Sequence, residues 1–516
     1  MVPDRRIVAL GQRFCVGIPC PYLDSGTADM LRKYKIGNVI LFKRNIQNRE
    51  QVRSLCHEVR ELIASETGIE PFIMIDEEGG EVSRLSQDFA SVPGAMAIRA
   101  TDDPENARMC GQIVGKELAS VGINMDLAPV LDVNSNPNNP VIGVRSYGED
   151  PETVARYGLQ MARGLADFGV FSCAKHFPGH GDTSIDSHIG LPIIDKTLSE
   201  LEKLEIIPFR SAVLDGIPAI MTSHIVFPKI DATGVPATMS RRILVDLLRN
   251  RMRYDGLIIT DCMEMSAISQ HFGIVGSTMQ ALGNGADIAL ISHHAGLAAQ
   301  AIDQMEASGL DEKSLMESYG RILGAKVRCF TRSVQSSGAN DDDRNVAEAI
   351  GQSTVTECSI PESGKVALGS NPLFVGCRPF SASPVSDGPE SGFSFAQSMQ
   401  SSFGGDCIVI SDNPDLQEIR SVASKVKGHS CIVFGTCCAH SHRGQIDLGS
   451  VLEKQGIPMI VTALLSPYDL AFFSGKVQKL AIYEYSTRSM RWLASYFCDM
   501  CEKTGKQFFS LEAQDI

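Results

Sequence analysis

Residues 175–188 form the most unusual polar segment of the chain, because they combine one lysine, three histidines and two aspartates within 14 residues. The segment begins where an apolar, strand-like run ends and continues through two glycines. A lone histidine is usually a core or surface residue, but this density favours a functional loop. Zinc is one alternative, since histidine and aspartate are its ligands. The spacing matches no familiar zinc pattern, however, and Lys175 beside His176 would put a cation next to the metal.

Four further polar groups follow other strand-like runs. They are the turn at residues 76–81, which begins with Asp76 and is followed by Arg84, then Arg145 after a tight turn, His224, and Asp261. Asp261 could instead cap a following helix, since aspartate is favoured there. Arg145 or His224 alone would more often be an ordinary surface or core residue. Five polar groups that all lie at strand ends are harder to explain by packing alone.

The elements that must position these side chains alternate between short apolar runs and longer amphipathic stretches. The strand candidates are residues 13–18, 38–42, 72–76, 124–130, 171–176, 219–225, 257–261 and 286–291. Strands that alternate with helices in this way predict a (β/α)8 barrel of the TIM type, in which the C-terminal ends of the strands carry the active site. All five polar groups would then meet on one face.

The chain of 516 residues is too long for a single barrel. The polar stretch at residues 333–343 ends in three aspartates and reads as a linker. We therefore expect a catalytic barrel at residues 1–332, a linker at 333–344 and a smaller α/β sandwich domain at 345–516. The strand candidates of that second domain are residues 365–368, 373–375, 407–410, 431–434, 458–461 and 479–483.

Composition excludes several classes of protein. The formal net charge is −14 and no block of basic residues occurs, so nucleic acid is not an expected partner. No apolar run approaches the length of a membrane span, and the run at residues 7–10 is too short for a secretory signal. The 15 cysteines are too sparse for a disulfide scaffold in a chain of this length. We expect a cytoplasmic protein with reduced thiols.

Together, these motifs resemble glycoside hydrolase family 3, and within it the β-N-acetylglucosaminidase branch. The resemblance rests on residues 175–188, on the turn at residues 76–80 followed by Arg84, on Gly143-Val144-Arg145-Ser146, and on the strand that ends in Asp261. It covers the whole first domain. Two departures are small: Glu77 stands where the family often has glutamine, and Tyr147 stands where phenylalanine is common.

The resemblance implies a retaining, exo-acting enzyme that releases terminal N-acetylglucosamine. Because we expect the protein to act inside the cell, we expect small oligosaccharides as its substrates, and we expect no metal or other cofactor. The resemblance implies Asp261 as the nucleophile that forms a covalent glycosyl intermediate, and Asp186 with His188 as the acid/base dyad. Retention needs these two functions on opposite faces of the sugar, and a histidine can donate and accept a proton near neutral pH. The implied sugar contacts are Asp76, Arg84, Arg145, Lys175, His176 and His224.

Two alternatives stay open. A histidine does not repel a phosphate dianion as a carboxylate would, so the enzyme could be a phosphorylase that yields N-acetylglucosamine 1-phosphate. A non-catalytic amino-sugar-binding protein is the second alternative, although the chain holds Asp261, Asp186 and His188 together. The natural aglycone, which could come from chitin, a cell-wall fragment or another glycan, and the oligomeric state are not determined by the sequence.

Overall fold

A computed structural model describes residues 5–183, 190–309, 311–332, 334–380, 392–500 and 504–511. The first part of the chain is a closed barrel of eight parallel strands in sequential order. The strands are β1 (Phe14–Gly17), β2 (Asn38–Leu41), β3 (Phe72–Ile75), β4 (Met125–Asp126), β5 (Phe171–Phe177), β6 (Ala219–Thr222), β7 (Leu257–Cys262) and β8 (Ile288–Ile291). The predicted (β/α)8 barrel is therefore confirmed.

Strand β4 is much shorter than the predicted run at residues 124–130. It pairs with its neighbours only through Met125 and Asp126. Pro129 follows soon after, and a proline has no N–H to donate to a ladder. Beyond Asp126 the segment stays hydrogen-bonded to β5, because the carbonyls of Ala128 and Pro129 accept from the N–H groups of Cys173 and Lys175. A single bridge between Val130 and Lys175 follows, and the long loop above the barrel begins after it.

Helices surround the barrel and close its lower end. They are α1 (Arg5–Gly11), α2 (Ser25–Tyr34), α3 (Arg49–Thr67), α4 (Ala95–Ala100), α5 (Pro104–Val121), α6 (Pro151–Asp167), α7 (Leu198–Leu201), α8 (Ile206–Leu214), α9 (Ser266–Ser269), α10 (Ile274–Gly283), α11 (Gly296–Ser308) and α12 (Glu312–Thr331), with a π-helix at Arg242–Arg251. Asp103 and Asp150 cap α5 and α6 with their carboxylates. Helix α12 packs Ile322, Ala325 and Cys329 against the barrel interior.

The second part of the chain contains a mixed sheet of six strands. Its elements are α13 (Asp341–Gln352), β9 (Thr356–Ser359), β10 (Leu373–Cys377), α14 (Phe395–Phe403), β11 (Asp406–Ile410), α15 (Leu416–Ala423), β12 (Ile432–Thr436), α16 (Arg443–Glu453), β13 (Met459–Ala463), β14 (Gln478–Ala481) and α17 (Thr487–Phe497). The strand order in the sheet is β11-β10-β12-β13-β14-β9. Among these strands only β9 runs antiparallel to its neighbour. The predicted α/β class of this domain is confirmed.

One predicted strand of this domain, residues 365–368, is wrong. Strand β9, which the sequence analysis missed, pairs with β14 at that edge of the sheet. The backbone of residues 365–368 bonds to side chains instead, because Val366 N–H donates to Gln478 and the Leu368 carbonyl accepts from Ser430. These two backbone groups are thus satisfied without a ladder.

The predicted linker also ends earlier than expected. The three aspartates at 341–343 are the first turn of α13, which Asn340 caps. Carboxylates are favourable at a helix N-terminus because of the partial positive charge there. Helix α13 contributes Ala347 and Ile350 to the core that includes the barrel helices.

In the part of the chain that the structure describes, every cysteine is a free thiol. Within the same residues, no helix is both long and apolar enough to cross a bilayer.

Candidate active site

A cavity of about 530 Å³ opens at the C-terminal ends of the barrel strands. This is the face on which the sequence analysis placed the chemistry. The predicted site residues that line it are Asp76, Arg84, Arg145, Lys175, His176 and Asp261. Asp186 and His188 lie outside the described residues, and His224 is not among the lining residues.

The floor of the cavity is a network of two carboxylates and two cations, in which Asp76 is partly exposed and the other three groups are buried. Lys175 Nζ lies 2.7 Å from Asp76 Oδ1 and 2.6 Å from Glu78 Oε1. Arg145 donates two parallel hydrogen bonds of 2.8 Å to the Glu78 carboxylate. Such bidentate pairs fix geometry as well as charge. Glu78 belongs to the acidic turn at residues 76–81 but was not among the predicted site residues.

Burial and charge act in opposite directions on this network. Burial alone would raise the pKa of Glu78, but Arg145 and Lys175 outweigh it and hold that pKa far below its usual range. Burial alone would lower the pKa of Lys175, but Asp76 and Glu78 keep it above its ordinary value. All three groups of the buried core, Glu78, Lys175 and Arg145, are therefore charged at neutral pH.

His176 is oriented by Asp132, a residue that the sequence analysis missed. The Asp132 carboxylate is fully buried and accepts from His176 Nδ1 at 2.7 Å. It also accepts from the backbone N–H groups of His176 and His180. One carboxylate thus fixes the tautomer of His176, whose ring lines the cavity. The signal was available in the sequence, since Asp132 follows the apolar run that begins at β4.

His180 also lines the cavity, and burial, followed by the charge of His176, lowers its pKa to about 4. Its ring Nδ1 lies 2.9 Å from the hydroxyl of Thr183. The loop between these residues packs closely against the backbone of Val133, because a Cβ on Gly181 would lie 1.6 Å from the Val133 carbonyl oxygen. Glycine is required there by close backbone approach.

Asp261 lies at the end of β7 and borders the cavity. Its Oδ1 accepts from the backbone N–H of Cys262 at 2.7 Å. The alternative interpretation of Asp261 as a helix cap is wrong, because α9 begins only at Ser266 and has no side-chain cap. The carboxylate is thus placed at the cavity by a rigid strand end.

His224 lies behind this strand end. Its Nε2 donates to the Cys262 carbonyl at 2.8 Å, and its Nδ1 lies 2.9 Å from the hydroxyl of Thr238. His224 is 1 % exposed. Both ring nitrogens are thus engaged by the protein, and the residue supports the chain segment next to Asp261.

Arg84 is buried beside the cavity, and its backbone N–H donates to the Glu77 carboxylate at 2.7 Å. Glu77 also accepts from the Ser83 hydroxyl and the Leu85 N–H. Burial raises the pKa of Glu77 to about 7 in spite of these donors. Glu77 thus shapes the turn that carries Arg84.

The outer rim of the cavity was not predicted. Arg44 lies over the ring of Phe42, 4.6 Å from its centroid, and 3.2 Å from His293 Nδ1. Glu264 accepts from the backbone N–H of His293 at 2.6 Å. These residues come after three different strands, β2, β7 and β8, so they form no local cluster in the sequence that could mark them as a group.

In the described residues, no three histidine, cysteine, aspartate or glutamate side chains are grouped so that they could hold a metal ion. What the cavity does present is a carboxylate at a strand end, a charged floor and an oriented imidazole. This arrangement suits a polar, uncharged ligand rich in hydroxyl groups, and nucleophilic attack on it by a carboxylate.

Comparisons with known proteins point to one family. Residues 11–325 match the model of the glycosyl hydrolase family 3 N-terminal domain. The chain is 36% identical over 379 residues to a protein named β-hexosaminidase A from Pseudoalteromonas piscicida, a match that spans 67% of this chain and 63% of that protein. The chain thus covers less than two thirds of that relative's length.

Two solved structures are also similar. A glycoside hydrolase family 3 β-N-acetylglucosaminidase from Paenibacillus sp. str. FPU-7 is 32% identical, with a TM-score of 0.89 over 98% of this chain and 99% of that one. NagZ from Neisseria gonorrhoeae, solved in complex with N-trifluoroacetyl-D-glucosamine, is 30% identical, with a TM-score of 0.55 over 66% of this chain and 96% of that one. The first similarity includes both domains.

Proposed function

The chain belongs to glycosyl hydrolase family 3, and from this premise we propose that it is a retaining, exo-acting β-N-acetylglucosaminidase. Its substrates are small oligosaccharides or glycosides with a terminal N-acetylglucosamine. The observation that carries the proposal is the position of Asp261, a carboxylate held by a strand end at the border of a cavity with a charged floor. The names of the relatives support the choice of sugar.

In this mechanism the Asp261 carboxylate attacks the anomeric carbon, and the aglycone oxygen leaves as a proton reaches it. A covalent glycosyl ester results, which water then hydrolyses with retention of configuration. The proton donor is His188, supported by Asp186, and the same imidazole accepts the proton of the incoming water. Both dyad residues are assigned from the sequence resemblance.

The sugar contacts in this proposal are Asp76, Arg84, Arg145, Lys175 and His176, all of which line the cavity. Asp76 accepts from sugar hydroxyls, and Lys175 holds its carboxylate in place. Asp132 keeps the ring of His176 directed by its bond to Nδ1. His224 supports Asp261 through the Cys262 carbonyl instead of touching the sugar. No metal or other cofactor takes part in these steps.

The test is turnover of an aryl β-N-acetylglucosaminide and of the matching β-glucoside, each with and without inorganic phosphate. We expect turnover of the first substrate, N-acetylglucosamine first released as the β-anomer, and no effect of phosphate. Formation of N-acetylglucosamine 1-phosphate would instead identify a phosphorylase. Binding of the glycoside without any turnover would identify an amino-sugar-binding protein.

The nucleophile is tested by Asp261→Asn, with Asp246→Asn as its matched control. Asp246 is an exposed aspartate in the π-helix at Arg242–Arg251. Loss of the nucleophilic carboxylate should lower kcat about a thousandfold or more, whereas the control should keep full activity. Full activity of Asp261→Asn would overturn the assignment.

A further inference from the structure

Tyr468 joins the second domain to the loop above the barrel. It lies in the 3-10 helix Pro467–Phe472, and its side chain is 6% exposed. Its hydroxyl donates to Glu149 Oε1 at 2.8 Å and accepts from Asn134 Nδ2 at 3.0 Å. Asn134 is separated from Tyr468 by 334 residues and is also buried. A single hydroxyl therefore bridges two points of the loop that follows β4.

The two bridged points are already tied to each other inside the loop. The Asn134 N–H donates to the Gly148 carbonyl at 2.9 Å. The Ser146 hydroxyl lies 2.6 Å from the carbonyl of Asp132 and 3.0 Å from that of Gly148. The Phe508 ring of the same domain lies close to this turn, since a Cβ on Gly148 would be 3.3 Å from it. The backbone of Asp132 is thus fixed by bonds that end at Tyr468.

Asp132 in turn fixes two segments that line the cavity. Its carboxylate accepts from His176 Nδ1 and, at 2.7 Å, from the His180 N–H. The loop and the His180 segment also touch directly, where the Asn136 N–H donates to the Gly181 carbonyl and Asn139 Nδ2 donates to the His180 carbonyl. A shift of the loop would therefore move His176 and His180 together.

We propose that Tyr468 is a positioning residue for the reaction. By holding Asn134 and Glu149, it keeps the Asp132 carboxylate within hydrogen-bond distance of His176. In this way the second domain supports the catalytic cavity of the barrel. This role rests on the proposed function, since it concerns the same cavity. It requires no movement between the domains, only a fixed loop.

The chain offers a closely matched control. Tyr496 also donates to a carboxylate, that of Glu357, and accepts from an amide, Gln478 Nε2, at 3.1 Å. It is 4% exposed, and both of its partners belong to the second domain. Tyr468→Phe and Tyr496→Phe therefore remove the same kind of hydroxyl from the same domain, but only the first hydroxyl reaches the barrel.

Two measurements compare these variants. The first is kcat/KM with an aryl β-N-acetylglucosaminide, and the second is the low-field proton resonance of His176 Nδ1, assigned by its loss in His176→Gln. We expect Tyr468→Phe to lower kcat/KM about tenfold, since small displacements of positioned groups are costly, and to shift the His176 resonance. Tyr496→Phe should change kcat/KM by less than about twofold and leave the resonance in place.

Equal behaviour of the two variants in both measurements would overturn the proposal, even if both lower the thermal midpoint. The resonance is recorded without substrate. If the wild-type protein has no glycosidase activity, the proposed function fails, while an unchanged or shifted resonance still decides whether Tyr468 positions His176.

Discussion

Lys326 lies at the end of the barrel opposite the cavity and provides a sharp test of the energetics of burial. It belongs to α12 and is 2% exposed. Its Nζ donates to Gln12 Oε1 at 2.5 Å and to the Gly37 carbonyl at 2.9 Å, and it lies 5.3 Å from the centroid of the Phe72 ring. No carboxylate forms an ion pair with it among the residues that the structure describes. Burial lowers the pKa of Lys326 from 10.5 to about 7.

The sign of the effect on stability follows from the two pKa values. Between pH 7 and 10.5 the unfolded chain binds a proton that the folded chain has released, so the free energy of unfolding rises with pH. Below pH 7 both states are protonated, and the folded state bears the full cost of the buried charge. At 1.36 kcal/mol for each pKa unit, this cost is about 5 kcal/mol.

The perturbation is Lys326→Met, which keeps the length of the side chain and removes the charge. Relative to the wild type, the variant should be most stabilised below pH 7, and the advantage should shrink by about 1.4 kcal/mol for each pH unit above it. The lost hydrogen bonds to Gln12 and Gly37 add a cost that does not change with pH. Activity should be unaffected, because that end of a barrel serves stability.

The assay is urea unfolding followed by circular dichroism at several pH values from 6 to 10, for the wild type and Lys326→Met. Lys313→Met is the control, because Lys313 is in the same helix and its side chain is 87% exposed. Comparison of the variants at each pH removes the contributions of other titrating groups. A difference between wild type and Lys326→Met that stays constant across this range would refute the reasoning.

Two further predictions concern the cavity. Arg145→Lys replaces two parallel bonds of 2.8 Å to Glu78 by a single contact, and a lysine cannot reproduce that geometry. We expect kcat/KM for the aryl glycoside to fall about 10- to 100-fold, and a change of less than twofold would contradict the importance of the bidentate pair. Burial raises the pKa of Glu77 from 4.5 to about 7. Between these two pH values the folded state keeps a proton that the unfolded state releases, so the free energy of unfolding falls as the pH rises. We expect the wild type to lose about 3 kcal/mol of this free energy relative to Glu77→Gln between pH 4.5 and 7. Thermal midpoints of both proteins at these two pH values check this, and a gap that does not widen would show that Glu77 is not buried as a carboxyl group.

The barrel could be predicted because its determinants are local. Each strand is a short apolar run, and helices α5 and α6 begin at aspartates whose carboxylates cap them. The failures concern strand pairing, which is not a local property. Strand β4 pairs in the ladder only at Met125 and Asp126. Residues 365–368 have strand-like composition, but β9 occupies the sheet edge beside β14. Composition alone cannot show which of two segments will pair with an edge.

For the site, the sequence alone determined which side chains stand at the ends of strands, and therefore that Asp76, Lys175 and Asp261 would meet on one face of a barrel. The tertiary structure decided their partners. Asp132 bonds to His176, which lies 44 residues further along the chain, and Glu78 bonds to Arg145, which lies 67 residues further along. It also placed the two nitrogens of His224 away from the cavity, on Thr238 and Cys262. Periodicity reports only the near neighbours of a residue, whereas ion pairs and hydrogen bonds depend on distances that arise when the barrel closes and the second domain packs against it.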